Sequence, residues 1–467
     1  MIGSLNVGCA RSSYDVLARV ADEDNMSVIE DGQDGDVLWA ARRDDVFRFL
    51  LCVGPAQLLN RIPGMGVVCE KLATHAALAS GRKLPFWPAT WPYTGSKAEL
   101  LSAKVFDELP SGASVIVKPS RTARGVGITI AHNSAELIKA LRGIRQCLRE
   151  SADGEQDLLR VTDDAILQQY LDEPLLLGGL KFDLRLYVLV CPADEQCQMM
   201  EELGPAFLCR EGLARFCTKP YARIADSRSD WASAHLTNTS VSKNSSAFEK
   251  AADPDDGLRG SKRKVSSVLE SLERSGALSV DAVWASIEVL VSTTLRRLAP
   301  AVYQAAVAKE TYTTPPSPDV EWRRCVEAAP GRFAQAFSLL GFDVILDSRG
   351  EPFLLEVNAA PSLAMEDVVP IEGPFDGRTG CKRLASAACR PRWAAKHGGS
   401  DWGQLCRCPD MPGRHKHEPS AIDLAIKSVT VRGALQILQA RARGQRQASW
   451  ADGTSYTPLH GVPAKYL

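Results

Sequence analysis

The stretch from residue 178 to 190, reading GGLKFDLRLYVLV, restricts the possible fold more than any other. Lys181, Asp183 and Arg185 alternate with Phe182, Leu184 and Leu186, and the apolar run Tyr187-Val188-Leu189-Val190 follows. Successive side chains of a strand point to opposite faces, so the three charges project from one face and the apolar residues from the other. An edge strand with a solvated face has the same alternation. Running straight into an apolar segment argues instead for a central strand, which places an amine, a carboxylate and a guanidinium side by side in the interior.

Two more segments carry the same kind of signal. VIVKPSRTARGVGITI (115–130) reads as strand, turn, strand. Lys118 ends the first strand, and Arg124-Gly125-Val126-Gly127 can form a loop whose backbone N–H groups approach an anion closely. A hairpin that simply needs glycine reads alike, and the pattern is neither a P-loop nor a dinucleotide fingerprint. GFDVILDSRGEPFLLEVNAAPSL (341–363) reads as a β-hairpin. Asp343 lies on its first strand, Glu356 and Asn358 lie on one face of the second, and Leu355 and Val357 are expected to point to the core. Two carboxylates and an amide converging from adjacent strands call for a cation between them, and hard oxygen ligands suit Mg²⁺. Two solvated acids on an exposed hairpin are the alternative. A glycine loop, a Lys-x-Asp-x-Arg strand and an Asp…Glu-x-Asn hairpin together follow the logic of the ATP-grasp fold. That is an α/β (α+β) architecture with nucleotide phosphates held between two sheets.

A chain of 467 residues is long enough for two or three domains. Lys+Arg 55 against Asp+Glu 56 leaves almost no net charge, so an acidic partner must be met by a local patch and nucleic acid is not an expected partner. No segment has signal-peptide or membrane-span character, and thirteen cysteines, an odd number, read as reduced thiols, so a soluble cytoplasmic protein without a membrane partner is expected. Residues 1–29, acidic around ADEDN, read as a loose lead-in. A helical stretch is expected after Gly64, a mobile loop or insertion over 246–275, a helix over 281–310, and a last helix from Ala421 to about Ala442.

The blocks VIVKPSRTARGVGI, LQQYLDEPLLLGGLKFDLRLYVLV, EGLARFCTKPY, HLTNTSVSKNS and LLGFDVILDSRGEPFLLEVNAAPSL resemble, in order, the signature blocks of the tubulin–tyrosine ligase-like family. LNRIPGMGVVCEKLATHAAL and PFWPATWPY resemble its N-terminal region, and AIDLAIKSVTVRGALQIL its closing helix. The resemblance implies a catalytic domain over 30–440, with an N-terminal subdomain at 30–112 and a central one at 113–190. The C-terminal subdomain takes 191–365 plus 420–440, with an insert at 366–419 and a tail at 441–467. Lys118 would hold ATP phosphate under the Arg124-Gly125 loop, and Gln168, Gln169, Tyr170 and Leu171 would line the adenine. Lys181 and Asp183 would contact phosphate and ribose, and Thr237 and Asn238 would complete the nucleotide site. Asp343, Glu356 and Asn358 would bind Mg²⁺. Arg215 and Lys427 would hold carboxylates of the incoming amino acid. Arg185 would stabilise the tetrahedral species formed when an amine attacks an acyl phosphate.

Gln169 departs from the Lys or Arg common at its position, which weakens one contact to the nucleotide. The insert carries Cys381, Cys389, Cys406, Cys408, His415 and His417, but their spacing matches no standard zinc knuckle, so a surface insert is expected. Among branches, the motifs look most like the polyglutamylases: a monomer joining free L-glutamate to acidic tubulin tails, at the cytoskeleton, cilium or basal body. Glycylation, tyrosine ligation and a non-catalytic microtubule-binding module are the alternatives. Lys262, Arg263 and Lys264, with Arg432, Arg441, Arg443 and Arg446, are the candidates for meeting an acidic tail.

Overall fold

The computed structural model describes residues 2–10, 13–30, 32–41, 46, 49, 53–120, 122, 125–151, 162–193, 203–222, 231–242, 245, 247–251, 253–255, 259–307, 334–370 and 415–459. The chain begins with β1 (Ser4–Asn6), α1 (Tyr14–Glu23), β2 (Ser27–Ile29), β3 (Val37–Leu38) and β4 (Leu58–Leu59), a parallel sheet of order β2-β1-β3-β4. Residues 1–29 are thus no loose lead-in. α1 buries Val16, Leu17, Val20 and Ala21 on one face, and the acidic run that suggested a loop is only its C-terminal end and the turn to β2.

α2 (Met65–Val68) and α3 (Lys71–Ala79) lead to a second, antiparallel sheet of order β5-β8-β6-β7, made from β5 (Thr90–Thr94), β6 (Val115–Pro119), β7 (Thr129–Ala131) and β8 (Asp164–Gln169). Between these strands run α4 (Ala98–Glu108) and α5 (Ser134–Ser151). Val105, Leu137, Leu141 and Ile144 of the helices pack on Val115, Val117, Ala165 and Leu167. Strand alternation therefore turns Ile116, Lys118 and Gln168 to the opposite, open face.

The third sheet is built from β9 (Leu176–Leu177), β10 (Leu180–Val190), β11 (Ala206–Phe216), β12 (Lys262–Lys264), β13 (Ser338–Leu346) and β14 (Pro352–Asn358). Its order is β12-β11-β10-β13-β14, with β9 on β10, so the alternating strand is central as expected. Short helices α6 (Trp231–His235) and α7 (Thr239–Ser242) follow β11; α8 (Val265–Arg274) follows β12, and α9 (Val280–Val307) precedes β13. Phe182, Leu184, Leu186, Val188 and Val190 pack with residues of α8 and α9. The other face of β10 changes character along its length: Lys181, Asp183 and Arg185 are polar, whereas Tyr187 and Leu189 join a core shared with the N-terminal unit and the last helix. Polarity switches where the cover switches.

Three boundaries differ from expectation. The 246–275 segment contains β12 and α8, whose Val265, Val268, Leu269 and Leu272 are buried. The two ends of the insert are strands, β15 (Glu366–Pro370) and β16 (His415–Pro419), which pair with each other. Residues 371–414, with Cys381, Cys389, Cys406 and Cys408, lie outside the described residues, and so does the zinc question. After α10 (Ala421–Ala442) the tail returns as β17 (Tyr456–Pro458) against β11, with the Tyr456 hydroxyl donating to the Thr430 carbonyl at 3.0 Å. No described helix is long and apolar enough to cross a membrane.

Candidate functional site

The second and third sheets face each other across a cleft with about 820 Å³ of empty space, part of it open to solvent. From the second sheet and its connecting segments come Lys118, Gly125, Gln168, Gln169, Tyr170 and Leu171. From the third come Lys181, Asp183, Arg215, Asp343 and Glu356, and the segment after α6 adds Thr237 and Asn238. Arg124 lies outside the described residues. Gly125 takes φ +80, and a Cβ there would meet Val241 of α7 at 3.2 Å, so glycine suits the close approach of this loop to α7.

Three lysines dominate the cleft. Lys118 Nζ donates to Gln168 Oε1 at 2.7 Å, and Gln168 is held in turn by donating to Thr90 Oγ1 at 2.9 Å. Lys181 Nζ donates to the Tyr170 hydroxyl at 2.8 Å and to the His235 carbonyl at 2.9 Å. Lys71, at the start of α3, donates to the Thr122 carbonyl at 2.5 Å. All their partners are neutral, and among the described residues none of the three has a carboxylate within ion-pair distance. Burial pushes the Lys118 ammonium down to about 8; Glu356 pulls it back up, and Lys71 and Lys181 push it further down. Lys71 and Lys181 are likewise lowered by burial. Two buried ammonium groups and a partly buried one, none paired with a carboxylate among the described residues, give this half of the cleft the chemistry that suits an anion.

Tyr170 joins this half to His235. The Tyr170 oxygen, which accepts from the donor-only Lys181, also lies 2.8 Å from His235 Nδ1. His235 Nε2 is a buried atom without a partner among the described residues. Burial and the Lys181 charge push His235 down to about 4, so the ring is neutral at pH 7.

The other half of the cleft is tightly paired. Arg215 donates to both oxygens of Asp183, Nε to Oδ1 at 2.8 Å and Nη2 to Oδ2 at 2.6 Å, and Thr237 Oγ1 donates to Oδ2 at 2.6 Å. Arg185 forks onto Asp343, with Nη2 to Oδ2 at 2.9 Å and a shorter bond from Nε to Oδ1, and Arg215 Nη2 reaches the same Oδ2 at 2.8 Å. Burial alone would raise the Asp343 carboxyl; the two guanidiniums overcome it and hold it well below the usual carboxylate range. Register sets these contacts, because Asp183 pairs with Arg215, Arg185 with Asp343, and Asp343 with Glu356 on successive strands.

The hairpin departs from simple alternation. Asp343 pairs with Glu356 but Val344 pairs with Leu354, so Leu355 is the extra residue of a bulge. It lines the cleft instead of pointing to the core, and Leu354 fills the core position. Asn358 Nδ2 donates to Glu356 Oε1 at 3.3 Å beyond the cleft lining.

Lys427 and Arg185 do not line the cleft either. Lys427 is buried on α10, bound to Asp423 Oδ1 at 2.6 Å and to the Ala364 carbonyl at 2.5 Å. Asp423 also takes the ammonium of Lys262, and burial, which raises it, is outweighed by Lys427 and Lys262. Lys262 and Arg263 are therefore internal, Arg263 lying 3.9 Å over the Phe216 ring, and they are withdrawn as candidates for meeting an acidic tail. Lys264 pairs with Asp255, and Arg432 pairs with Glu23 and with Asp24, the latter at 3.1 Å. Sequence reasoning missed Lys71, His235 and Leu355. His235 stands directly before the Leu-Thr-Asn of a segment already singled out, but a single lysine opening a helix carries no pattern.

The donors of the cleft fit a magnesium–nucleotide: hard oxygens on Asp343 and Glu356 face uncompensated ammonium groups. Residues 51–317 and 321–371 match the family described as the tubulin-tyrosine ligase family. Among curated proteins, tubulin polyglutamylase TTLL6 of Mus musculus is 28% identical over 367 residues, covering 78% of this chain and 38% of that protein. Tubulin polyglutamylase TTLL7 of Homo sapiens is 28% identical over 378 residues, covering 79% and 36%. Tubulin polyglutamylase ttll-11 of Caenorhabditis elegans is 28% identical over 334 residues, covering 69% and 40%. The chain spans well under half the length of these relatives.

Proposed function

The chain belongs to the tubulin–tyrosine ligase family, and from that premise we propose that it is an ATP-dependent carboxylate–amine ligase. It joins free L-glutamate to side-chain carboxylates of an acidic tail, tubulin's first among them, and works at microtubules in the cytoplasm or cilium. The observation that carries this reading is the division of the cleft into three lysines without a carboxylate partner among the described residues, two of them buried, and, opposite them, carboxylates on neighbouring strands.

Lys71, Lys118 and Lys181 hold phosphate oxygens, Asp343 and Glu356 hold Mg²⁺ with Asn358 steadying Glu356, and the 168–171 strand end receives the base. Bound Mg-ATP supplies the phosphoryl group that turns the acceptor carboxylate into an acyl phosphate, from which the glutamate amine displaces phosphate. The chain's own residues position and stabilise charge; no nucleophilic side chain is required. Arg185, once free of Asp343, meets negative charge at the reacting carbon; Lys427 receives a carboxylate of the amino acid once Asp423 lets it go, and Arg215 receives one while it stays on Asp183.

A panel of labelled amino acids, offered with Mg-ATP and tubulin, tests the reading. Glutamate incorporation matched by ADP release is expected. Incorporation of glycine or tyrosine instead moves the chain to another branch, and nucleotide binding without transfer makes it a binding module.

A further inference from the structure

Asp343 is asked to do two things at once. A carboxylate offers about four lone-pair positions, and three are already occupied by N–H donors of Arg185 and Arg215. A divalent cation on the same oxygens would repel both guanidiniums. The two arginines are not equally exposed to that repulsion. Arg215 keeps both oxygens of Asp183, whereas Arg185 has no carboxylate other than Asp343 among the described residues. Arg185 is also only 13% exposed, and a largely desolvated guanidinium stripped of its anion needs another. Its stem passes over Gly341, where a Cβ would stand 3.2 Å from Arg185 Cδ.

We propose that Asp343 masks Arg185, making it a carboxylate site that opens only when a metal ion carried in with the nucleotide takes Asp343. The sequence of events follows from charge. Before the metal arrives, two guanidiniums face two carboxylates and the cluster is balanced. Once Asp343 turns to the cation, Arg185 is left in excess and takes a carboxylate of the acidic substrate. Nucleotide binding therefore precedes carboxylate binding, and by linkage each tightens the other. The inference rests on the nucleotide–metal reading of the cleft.

The test is the affinity of the full chain for a fluorescent peptide of consecutive glutamates, by anisotropy. It is measured alone, with Mg²⁺ plus a non-hydrolysable ATP analogue, and with that analogue plus a chelator. Tightening of roughly 5–150-fold, the ordinary range of coupling between sites, is expected with Mg²⁺–analogue and none with the chelated analogue. Arg185→Gln should bind Mg²⁺–analogue but lose the gain. Asp343→Asn, checked for folding by circular dichroism, should bind the peptide without nucleotide as tightly as the loaded wild type. Calorimetry that shows Mg²⁺–analogue binding with unchanged peptide affinity overturns the masking and leaves the nucleotide site standing. Absence of any Mg²⁺–analogue binding overturns the nucleotide site itself, and the masking with it. The wild-type arms decide the matter even where a variant does not fold.

Discussion

Asp343 and Glu356 are register partners on β13 and β14, yet only Asp343 is neutralised. Asp343 takes both guanidiniums, while Glu356 receives the Asn358 amide at 3.3 Å and looks across the cleft at Lys71 and Lys118. On the proposed metal reading, a metal ion would find one carboxylate ready and one to be won from arginine. Glu356→Gln keeps the shape and removes the ready charge. Ligation should fall by roughly 10–100-fold or more, by analogy with lost partners of bound metals, with the melting temperature near wild type. Wild-type turnover with Mg-ATP would remove Glu356 from the metal site.

Lys118 sets a pH dependence whose sign can be worked out. Burial lowers its ammonium to about 8 in the free protein, and a phosphate beside it favours the charged form. The lysine's help to nucleotide binding is complete below about 8 and fades as pH rises through that value toward the higher pKa of the complex. Binding near pH 8 should take up protons, read by calorimetry in buffers of different ionisation heat. Lys118→Met should abolish the uptake; equal uptake in both proteins would place the titration elsewhere.

The parts of this molecule that were legible in the sequence are those where one period ran uninterrupted. β10, the 341–358 hairpin and α10 fall where alternation or helical spacing put them. What failed did so for local physical reasons. α1 was hidden because its buried stripe is four residues among charges. Lys262 and Arg263 read as a solvated loop, yet Asp423 and the Phe216 ring, remote in sequence, bury them. Leu355 was assigned to the core because a bulge leaves no mark in the alternation. That the arginines of the site are already bound to its aspartates is a matter of strand register, which no single segment encodes.

Gly341 and Arg185 should fail together. A Cβ at 341 would meet Pro361 Cβ at 2.9 Å and Arg185 Cδ at 3.2 Å, so Gly341→Ala must push on both. Overpacking of this kind commonly costs about 1–3 kcal/mol, and the displaced guanidinium adds a loss of turnover. Arg185→Lys keeps the charge without the planar fork. Losing such a contact commonly lowers kcat by roughly 10²–10³, here with nucleotide affinity kept. If nucleotide affinity fell and kcat held, Arg185 would belong to the nucleotide and not to the reacting carboxylate.

The basic residues divide into two classes with opposite expected phenotypes. Lys262 is internal, so Lys262→Ala should lower stability by roughly 1.5–3 kcal/mol, the worth of a hydrogen bond to a charged group, Lys427 still holding Asp423. Arg443 and Arg446 are exposed just beyond α10. At about 1.5 Å per residue along the helix axis, that end is far from Lys427. Their proposed contribution is to hold a distant part of an acidic acceptor. Reversing both to Glu should raise KM for the acceptor roughly two- to fivefold at low salt, matching about 0.5–1 kcal/mol for exposed pairs, with KM for ATP unchanged. The effect should fade toward 0.15 M salt, where the Debye length is about 8 Å. An acceptor KM equal to wild type at low ionic strength would return Arg443 and Arg446 to the solvated surface and place acceptor capture nearer the cleft.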